Sequence, residues 1–135
     1  MKTIHNPDSP PPKGPFSYAV AAQGLVFVSG HAAVDPTSGE FVLGDIRQET
    51  SLTLTNIART LEAAHSGLQH VLKVSVFLKD IDDFAAMNEV YREFFPNPGH
   101  WPARTTIQAV LGSDIRVEID AVAVVAPAPH GSHAS

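Results

Sequence analysis

The sequence predicts a single-domain α+β protein, with a mixed β-sheet and two helices on one of its faces. Five segments alternate apolar and polar residues or are rich in β-branched and aromatic residues, as strands are. Two others repeat apolar residues every three or four positions, as amphipathic helices do. The resulting order is β-β-α-β-α-β-β, and 135 residues suffice for one hydrophobic core.

The N-terminal part of the chain predicts an extended lead-in followed by a hairpin. Five prolines fall in residues 6–15, and because proline fixes φ and lacks an amide donor, no regular element is expected there. Residues 16–22 and 25–29 are rich in apolar and β-branched side chains and flank a glutamine-glycine break, which predicts two paired strands. The sequence Pro-Thr-Ser-Gly at 36–39 then indicates a turn in a loop at the sheet edge.

A change of period marks the first helix. Residues 45–65 carry apolar side chains three and four positions apart, such as Leu54 and Ile57. Asp45, with Gln48 three residues later, has the spacing of a capping box. This range therefore predicts an amphipathic helix that packs on the sheet.

The second half of the chain predicts a strand, a helix and two more strands. Residues 70–80 alternate as a half-buried strand does, and strands are also expected at 104–111 and 115–125. The helix between them covers 83–95, with Asp82 or Asp83 as its cap. Its apolar stripe consists of Phe84, Met87, Val90, Tyr91 and Phe94.

The two ends of the chain differ in character. Residues 1–126 are expected to form the domain, whereas 127–135 are of low complexity and predict a flexible C-terminal tail. Each helix connects two strands that are parallel if the crossover is right-handed, which leaves the other face of the sheet uncovered. Because the strand at 115–125 is largely apolar on both sides, we expect a homo-oligomer whose other subunits bury that face.

Composition excludes several classes of function. The chain has no cysteine, which removes disulfides, thiolate catalysis and thiolate metal sites. Its net charge is −5 and its nine Lys and Arg residues are scattered, so no nucleic-acid partner is expected. No segment approaches the roughly 18 to 20 apolar residues of a membrane span, and the N-terminus lacks a signal peptide. A cytoplasmic protein without membrane contact is the expectation.

Motif searches exclude further chemistry. The seven histidines show no HExxH or similar metal-ligand spacing, so no metal site is expected. No GxGxxG opening a helix and no P-loop occurs, and no GxSxG stands at a strand-to-helix turn. Neither a cofactor nor serine hydrolase chemistry is therefore expected.

A small polar set remains near strand ends or inside apolar segments. By residue type alone, a serine there is more often a strand terminator, an asparagine on a helix is more often solvated, and an arginine is more often a surface cation. The set consists of Ser29, Gly30, His31, Asn88, Arg104 and Glu118.

Glu118 is the hardest of these to explain as a surface residue. A carboxylate between Val117 and Ile119 either has a partner or has a raised pKa. Arg104 is one candidate partner. Alternatively, a ligand lies between the two, its carboxylate bound by the guanidinium fork while Glu118 handles a proton.

Seven collinear segments, which span nearly the whole chain, form a more specific pattern. They are GPFSYAV at 14–20, VFVSGH at 26–31, DPTSGE at 35–40, GDIRQETSLTLTNI at 44–57, MNEVYREFF at 87–95, PART at 102–105 and VEIDAVA at 117–123. In this order and spacing they resemble the Rid (YjgF-type) family of enamine/imine deaminases. The resemblance implies a chorismate-mutase-like two-layer α+β sandwich and a homotrimer with a central β-barrel and three clefts between subunits. It also implies that the final strand is inserted between earlier ones.

The resemblance also assigns roles to particular residues. Arg104 in PART matches the arginine that grips the substrate carboxylate, and Glu118 in VEI matches the acid that positions or activates water. These two form the expected catalytic pair. The expected substrate-binding set is Phe16, Ser29, Gly30, His31, Asn88 and Thr106.

Three positions depart from the family pattern. Phe16 stands where many members have tyrosine, and Thr106 stands where the best-studied members have cysteine. Tyr18 replaces the usual glutamine or histidine. The first two changes remove polar contacts but leave carboxylate binding intact, so they bear on the identity of the substrate.

The expected activity is hydrolysis of 2-imino acids, reached from enamines such as 2-aminoacrylate, to 2-keto acids and ammonia, as in 2-iminobutanoate/2-iminopropanoate deaminases. The expected partners are a small carboxylate-bearing imine or keto acid and two further copies of the chain. Three alternatives stay open: a pathway-specific deaminase of an aminomuconate-like substrate, a non-catalytic keto-acid-binding or chaperone protein and, less favoured by the acidic charge, a ribonuclease.

Overall fold

The computed structural model describes residues 1–127, where the chain forms six strands and two α-helices. They are β1 (Thr3–His5), β2 (Ala19–Ala22), β3 (Leu25–His31), α1 (Ile46–Ala63), β4 (Val71–Leu78), α2 (Phe84–Phe94), β5 (Ala103–Gln108) and β6 (Val117–Val124). Apart from Pro127, the predicted tail lies outside the described residues. Neither helix in residues 1–127 is long and apolar enough to cross a membrane.

Every predicted helix and strand is present, with shifted ends. The strand expected at 16–22 begins only at Ala19, because the amide of Phe16 donates to the carbonyl of Gly14 in a turn. The sequence analysis missed β1, which pairs with β2 at the sheet edge. Its three mostly exposed residues are too few to show a period.

The helix caps agree with the sequence in one case and not in the other. At the start of α1, the Asp45 carboxylate accepts from the Gln48 amide, and the Gln48 side chain accepts from the Asp45 amide, which confirms the capping box. At α2, Asp83 occupies the expected N-cap position, but its side chain makes no cap hydrogen bond, so the predicted capping interaction is wrong. The Asp80 carboxylate instead accepts from the Asp82 amide in the turn before the helix.

All six strands join one mixed sheet in the order β1-β2-β3-β6-β4-β5. The strands β4 and β5 are parallel, and β6 is antiparallel to both β3 and β4, so that β3 and β4 run in the same direction. This arrangement confirms the expected parallel crossovers. It also confirms that the final strand is inserted between earlier ones, as the resemblance implied.

One face of the sheet packs against the helices and forms the core. Leu54, Ile57 and Leu61 of α1 are buried against this face, as their spacing predicts. Along β6, Val117, Ile119, Ala121 and Ala123 are fully or nearly fully buried, while the alternate residues are only half-buried.

The other face of the sheet, which we call the open face, is not covered by any helix in residues 1–127. Phe27 is 49% exposed and Ile107 is 46% exposed, values that are unusual for large apolar side chains in the middle of strands. The open face carries Phe27, Phe77, Ile107, Val122 and Val124 in neighbouring register positions. An apolar face of this kind is typical of a surface that associates with other chains.

A buried carboxylate connects α1 to the segment before β6. Glu49 is 1% exposed, and it accepts hydrogen bonds from the amide of Gly44 at 3.1 Å and from the amide of Arg116 at 2.8 Å. The Arg116 guanidinium lies 4.0 Å from the same carboxylate and donates to the carbonyl of Gly44 at 2.9 Å. Glu49 therefore fixes the start of α1 and the entry to β6 relative to one another.

We predict that Glu49→Ala lowers the free energy of unfolding by about 3 kcal/mol, because two amides lose a charged acceptor inside the protein. Glu89→Ala is the matched control, since Glu89 pairs with Arg47 on the surface and is expected to contribute less than about 1 kcal/mol. Chemical denaturation measures both. Equal losses in the two variants would contradict the role of Glu49.

Candidate functional site

Glu118 is the second residue of β6 and lies beside the end of β3. In register it is paired with Phe77 of β4, which places its side chain on the open face. The pairing of β3 with β6 shifts between Val28 and His31, and Gly30 lies in this irregular stretch. A Cβ atom at Gly30 would come within 2.6 Å of Oε2 of Glu118, so only glycine leaves room for the carboxylate in its present position.

The electrostatic surroundings of Glu118 disfavour its charge. Burial raises the pKa of its carboxyl group above the ordinary value, and the nearby negative charge of Asp120 raises the pKa further. Within residues 1–127 no cation forms an ion pair with this carboxylate. Glu118 therefore holds a proton more readily than an ordinary carboxyl group does, as groups that transfer protons in active sites often do.

The side chain of Glu118 lines a cavity of about 310 Å³. Of the predicted site residues, Phe16, Gly30 and His31 share this cavity with Glu118. The rest of the wall comes from the segment before β2, which is rich in proline, from the loop between β3 and α1, from one side of α1 itself, and from the loop before β6. Sequence reasoning treated the proline-rich segment only as a lead-in and so missed its place in the site.

The polar groups of Ser29 and His31 are already engaged within the chain. The Ser29 hydroxyl donates to the carbonyl of Ser17 at 2.6 Å. The His31 ring lies between the carbonyl of Ser29 at 2.6 Å and the hydroxyl of Thr60 at 2.8 Å, and burial lowers its pKa, so the ring is neutral at physiological pH. In this structure both side chains tie β3 to its neighbours.

Arg104 lies on the opposite side of the sheet from Glu118. It is paired with Val74 of β4, whose side chain is buried on the helix-covered face. Its guanidinium carbon is 4.7 Å from the centre of the Tyr91 ring and 5.6 Å from the centre of the Phe84 ring. Cations at these distances are attracted to aromatic faces. Among residues 1–127, no carboxylate forms an ion pair with Arg104.

Two predicted binding residues lie on the same face as Arg104. Thr106, two positions along β5, has a buried hydroxyl without a hydrogen-bond partner among the described residues. Asn88 falls between Phe84 and Tyr91 on one stripe of α2, at intervals of four and three residues. Arg104 thus lies among aromatic and polar residues. We call this group, which consists of Phe84, Asn88, Tyr91, Arg104 and Thr106, the Arg104 cradle.

The structure confirms Tyr91 as a buried core residue of α2, whereas Phe84, which was expected in the same stripe, is 37% exposed. The rings of both residues also lie beside the Arg104 guanidinium. Burial raises the pKa of Tyr91 to about 12, although the nearby charge of Arg104 opposes this shift, so the phenol stays neutral. The same helical spacing suits a core stripe and an aromatic cradle, so spacing alone could not separate them.

The expectation that Arg104 and Glu118 are direct partners within one chain is wrong. Glu118 shares a row of the sheet with Phe77 and Ile107, and Arg104 lies three residues before Ile107 on the same strand, hence on the other face. The candidate site is therefore divided into the Glu118 cavity and the Arg104 cradle. Within residues 1–127 there is no group of three or more His, Cys, Asp or Glu side chains placed to hold a metal ion.

Comparison with known proteins gives the family. A model of the endoribonuclease L-PSP family matches residues 6–125. A RutC family protein of Pyrococcus horikoshii is 43% identical over 90% of this chain and 96% of its own length. A 2-iminobutanoate/2-iminopropanoate deaminase of Bos taurus is 39% identical over 93% of this chain and 91% of its own length.

The fold agrees with a solved structure of similar size. The crystal structure of E. coli TdcF with bound serine superposes with a TM-score of 0.83 at 33% identity, covering 92% of this chain and 99% of that one. The single-domain α+β fold is therefore shared with this solved structure. The chain belongs to the endoribonuclease L-PSP (YjgF/RutC/Rid) family, which confirms the resemblance found in its sequence.

Proposed function

We propose that this protein hydrolyses reactive 2-imino acids, such as 2-iminobutanoate and the imine form of 2-aminoacrylate, to 2-keto acids and ammonia. The observation that carries the proposal is the pair of unneutralised groups, a cation in the Arg104 cradle and a carboxyl of raised pKa at Glu118. An imino acid offers a carboxylate to the first group and a site for water addition to the second. The relatives named as imine deaminases support this choice of reaction.

The two halves of the site face opposite sides of one sheet, so we propose that they meet across a subunit interface. The open face gives the reason for association, because Phe27, Phe77, Ile107 and Val122 need a cover. A homotrimer with the open faces turned inward as a barrel satisfies this need. In such a trimer, we propose, the Arg104 cradle of one subunit lies beside the Glu118 cavity of the next.

The chemistry then follows from the two groups. Arg104 binds the substrate carboxylate through the fork of its guanidinium. Glu118 takes a proton from water as the water oxygen bonds to the imine carbon, and returns it to the nitrogen. Glu118 then transfers the proton of the carbinolamine hydroxyl to the amine nitrogen, the C–N bond breaks as the C=O bond of the ketone forms, and ammonia leaves. Backbone groups near Gly30 and Thr106 hold the imine end, and positioning supplies most of the acceleration because imines hydrolyse readily.

The cavity offers little to the RNA cleavage that the family name suggests. Among the described residues that line the cavity, the one histidine is His31. Its two ring nitrogens form hydrogen bonds with the carbonyl of Ser29 and the hydroxyl of Thr60. Its lowered pKa also leaves it uncharged at neutral pH. A ribonuclease that uses histidine as acid or base would need this ring free.

For Arg104→Ala we expect kcat/KM on enzymatically generated 2-iminobutanoate to fall roughly a hundredfold or more, because the carboxylate loses its charged partner. Arg104→Lys keeps the charge but not the fork and should recover only part of the loss. Arg92→Ala, on the exposed side of α2, is the control and should retain full activity. Undiminished turnover by Arg104→Ala would contradict the carboxylate clamp.

For Glu118→Gln we expect turnover to fall roughly a hundredfold while binding of 2-oxobutanoate is retained, since the group that moves the proton is lost. The activity of the wild-type protein should increase as the pH rises through the pKa of Glu118, because the carboxylate is the form that accepts a proton. Since this pKa is raised, the increase should fall at a pH above 4.5, the ordinary pKa of a glutamate side chain. Steady-state rates across pH and calorimetry measure the two effects. Loss of folding in Glu118→Gln would indicate a structural role instead.

A further inference from the structure

The proline-rich segment before β2 forms one wall of the Glu118 cavity. We call residues 7–12 the proline arm, and its four prolines, Pro7, Pro10, Pro11 and Pro12, all line the cavity. Proline side chains are apolar, and their fixed φ angles limit how far the segment can rearrange. The arm therefore presents a stiff apolar surface to whatever occupies the cavity.

Side chains of the domain hold the proline arm in place. Arg59 of α1 donates to the hydroxyl of Ser9 at 3.0 Å and to the carbonyl of Asp8 at 2.9 Å. The Tyr18 hydroxyl donates to the carbonyl of Pro10 at 2.6 Å. These contacts fix the arm before any ligand arrives, and a preformed wall costs a ligand little ordering on binding.

Another wall is also apolar. It comes from the loop between β3 and α1, in which Val34 and Phe41 are joined by an isolated bridge. The turn of this loop packs directly on the arm, since a Cβ atom at Gly39 would come 3.5 Å from the side chain of Pro10. Gly39 has φ of +77°, which favours glycine at this turn.

Among the described residues, the positive and negative side chains around the cavity balance each other. No excess charge is therefore available to pair with an ionic group at the far end of a ligand. The cations are Lys13, which pairs with Glu40 at 3.7 Å, and Arg59, which is engaged with the arm. Asp35, whose carboxylate accepts from the amides of its own turn, and Glu118 balance them. An apolar occupant suits this lining better than an anion does.

We infer that the cavity between the proline arm and the 34–41 loop binds the side chain of the imino acid and selects bulky apolar side chains, branched aliphatic or aromatic, over short or charged ones. This inference rests on the proposed function, because Glu118 in the cavity wall must face the imine carbon. The volume of about 310 Å³ is far more than the ethyl group of 2-iminobutanoate fills. Phe16 without its family hydroxyl adds to the apolar character of the wall.

The first test is a panel of imines generated in place by an amino acid oxidase. The protein should hydrolyse the imines of leucine and phenylalanine with kcat/KM roughly tenfold or more above that of 2-iminobutanoate, at about fourfold per buried methylene. The imine of glutamate, of similar length to that of leucine but charged, should be hydrolysed no faster than 2-iminobutanoate. A rate independent of side-chain size, or a preference for the glutamate imine, overturns the inference.

The second test weakens the arm. In Tyr18→Phe and Arg59→Met, the ratio of kcat/KM for the leucine imine to that for 2-iminobutanoate should fall roughly fivefold, because the apolar wall is no longer fixed. Arg92→Met is the matched control for loss of an exposed arginine and should leave the ratio unchanged. An unchanged ratio in both arm variants contradicts the role of the arm.

Binding measurements separate this inference from the proposed function. Calorimetry compares 4-methyl-2-oxopentanoate with 2-oxobutanoate, and the larger keto acid should bind roughly tenfold more tightly. Size-selective binding without turnover of any imine would overturn the deaminase proposal and support the subsite. Turnover without size selection in either rates or binding would overturn the subsite alone.

Discussion

The insertion of β6 between β3 and β4 is the constraint on which the rest of the molecule depends. The last strand of the chain hydrogen-bonds to both neighbours, so the sheet is continuous only when residues 117–124 have joined strands formed from much earlier sequence. Its alternate residues complete the core, and Glu118 between them is brought against Gly30 at the end of β3. Glu49 supports this arrangement, because it binds the entry to β6 through the amide of Arg116. Core packing and the position of the carboxyl group thus have the same origin.

The separation of the two candidate groups follows from the same sheet. Because side chains alternate along a strand, the register that buries Val74 turns Arg104 towards the helices and Glu118 away from them. Within residues 1–127, each chain is left with a cation that lies against aromatic rings without an ion-pair partner, and with a carboxyl group whose pKa is raised by burial and by Asp120. Unpaired charges of this kind destabilise a folded chain slightly. They are expected where a ligand or a second subunit provides the missing partner.

Much of the fold could be predicted from the sequence, because periods of two and of 3.6 residues are local properties. The strand β1 was not predicted, because three residues at a sheet edge are too few to show a hydrophobic period. The residues of the candidate site could be identified from the sequence, but their positions relative to one another could not. The faces of Arg104 and Glu118 depend on register and strand order, and the internal bonds of His31 to Ser29 and Thr60 depend on tertiary contacts. The proline arm looked like a lead-in because nothing local indicates that Arg59, some 50 residues later, holds it.

We propose that one active site combines Arg104 of one subunit with Glu118 of another, and this arrangement can be tested with mixed oligomers. Arg104→Ala and Glu118→Gln chains would be unfolded, mixed in equal amounts and refolded together, and imine hydrolysis would be measured. Random assembly in any closed ring gives an intact pair at about one quarter of the interfaces, so about one quarter of the wild-type rate should return although each variant alone is inactive. Mixed oligomers as inactive as the separate variants would contradict a site shared between subunits.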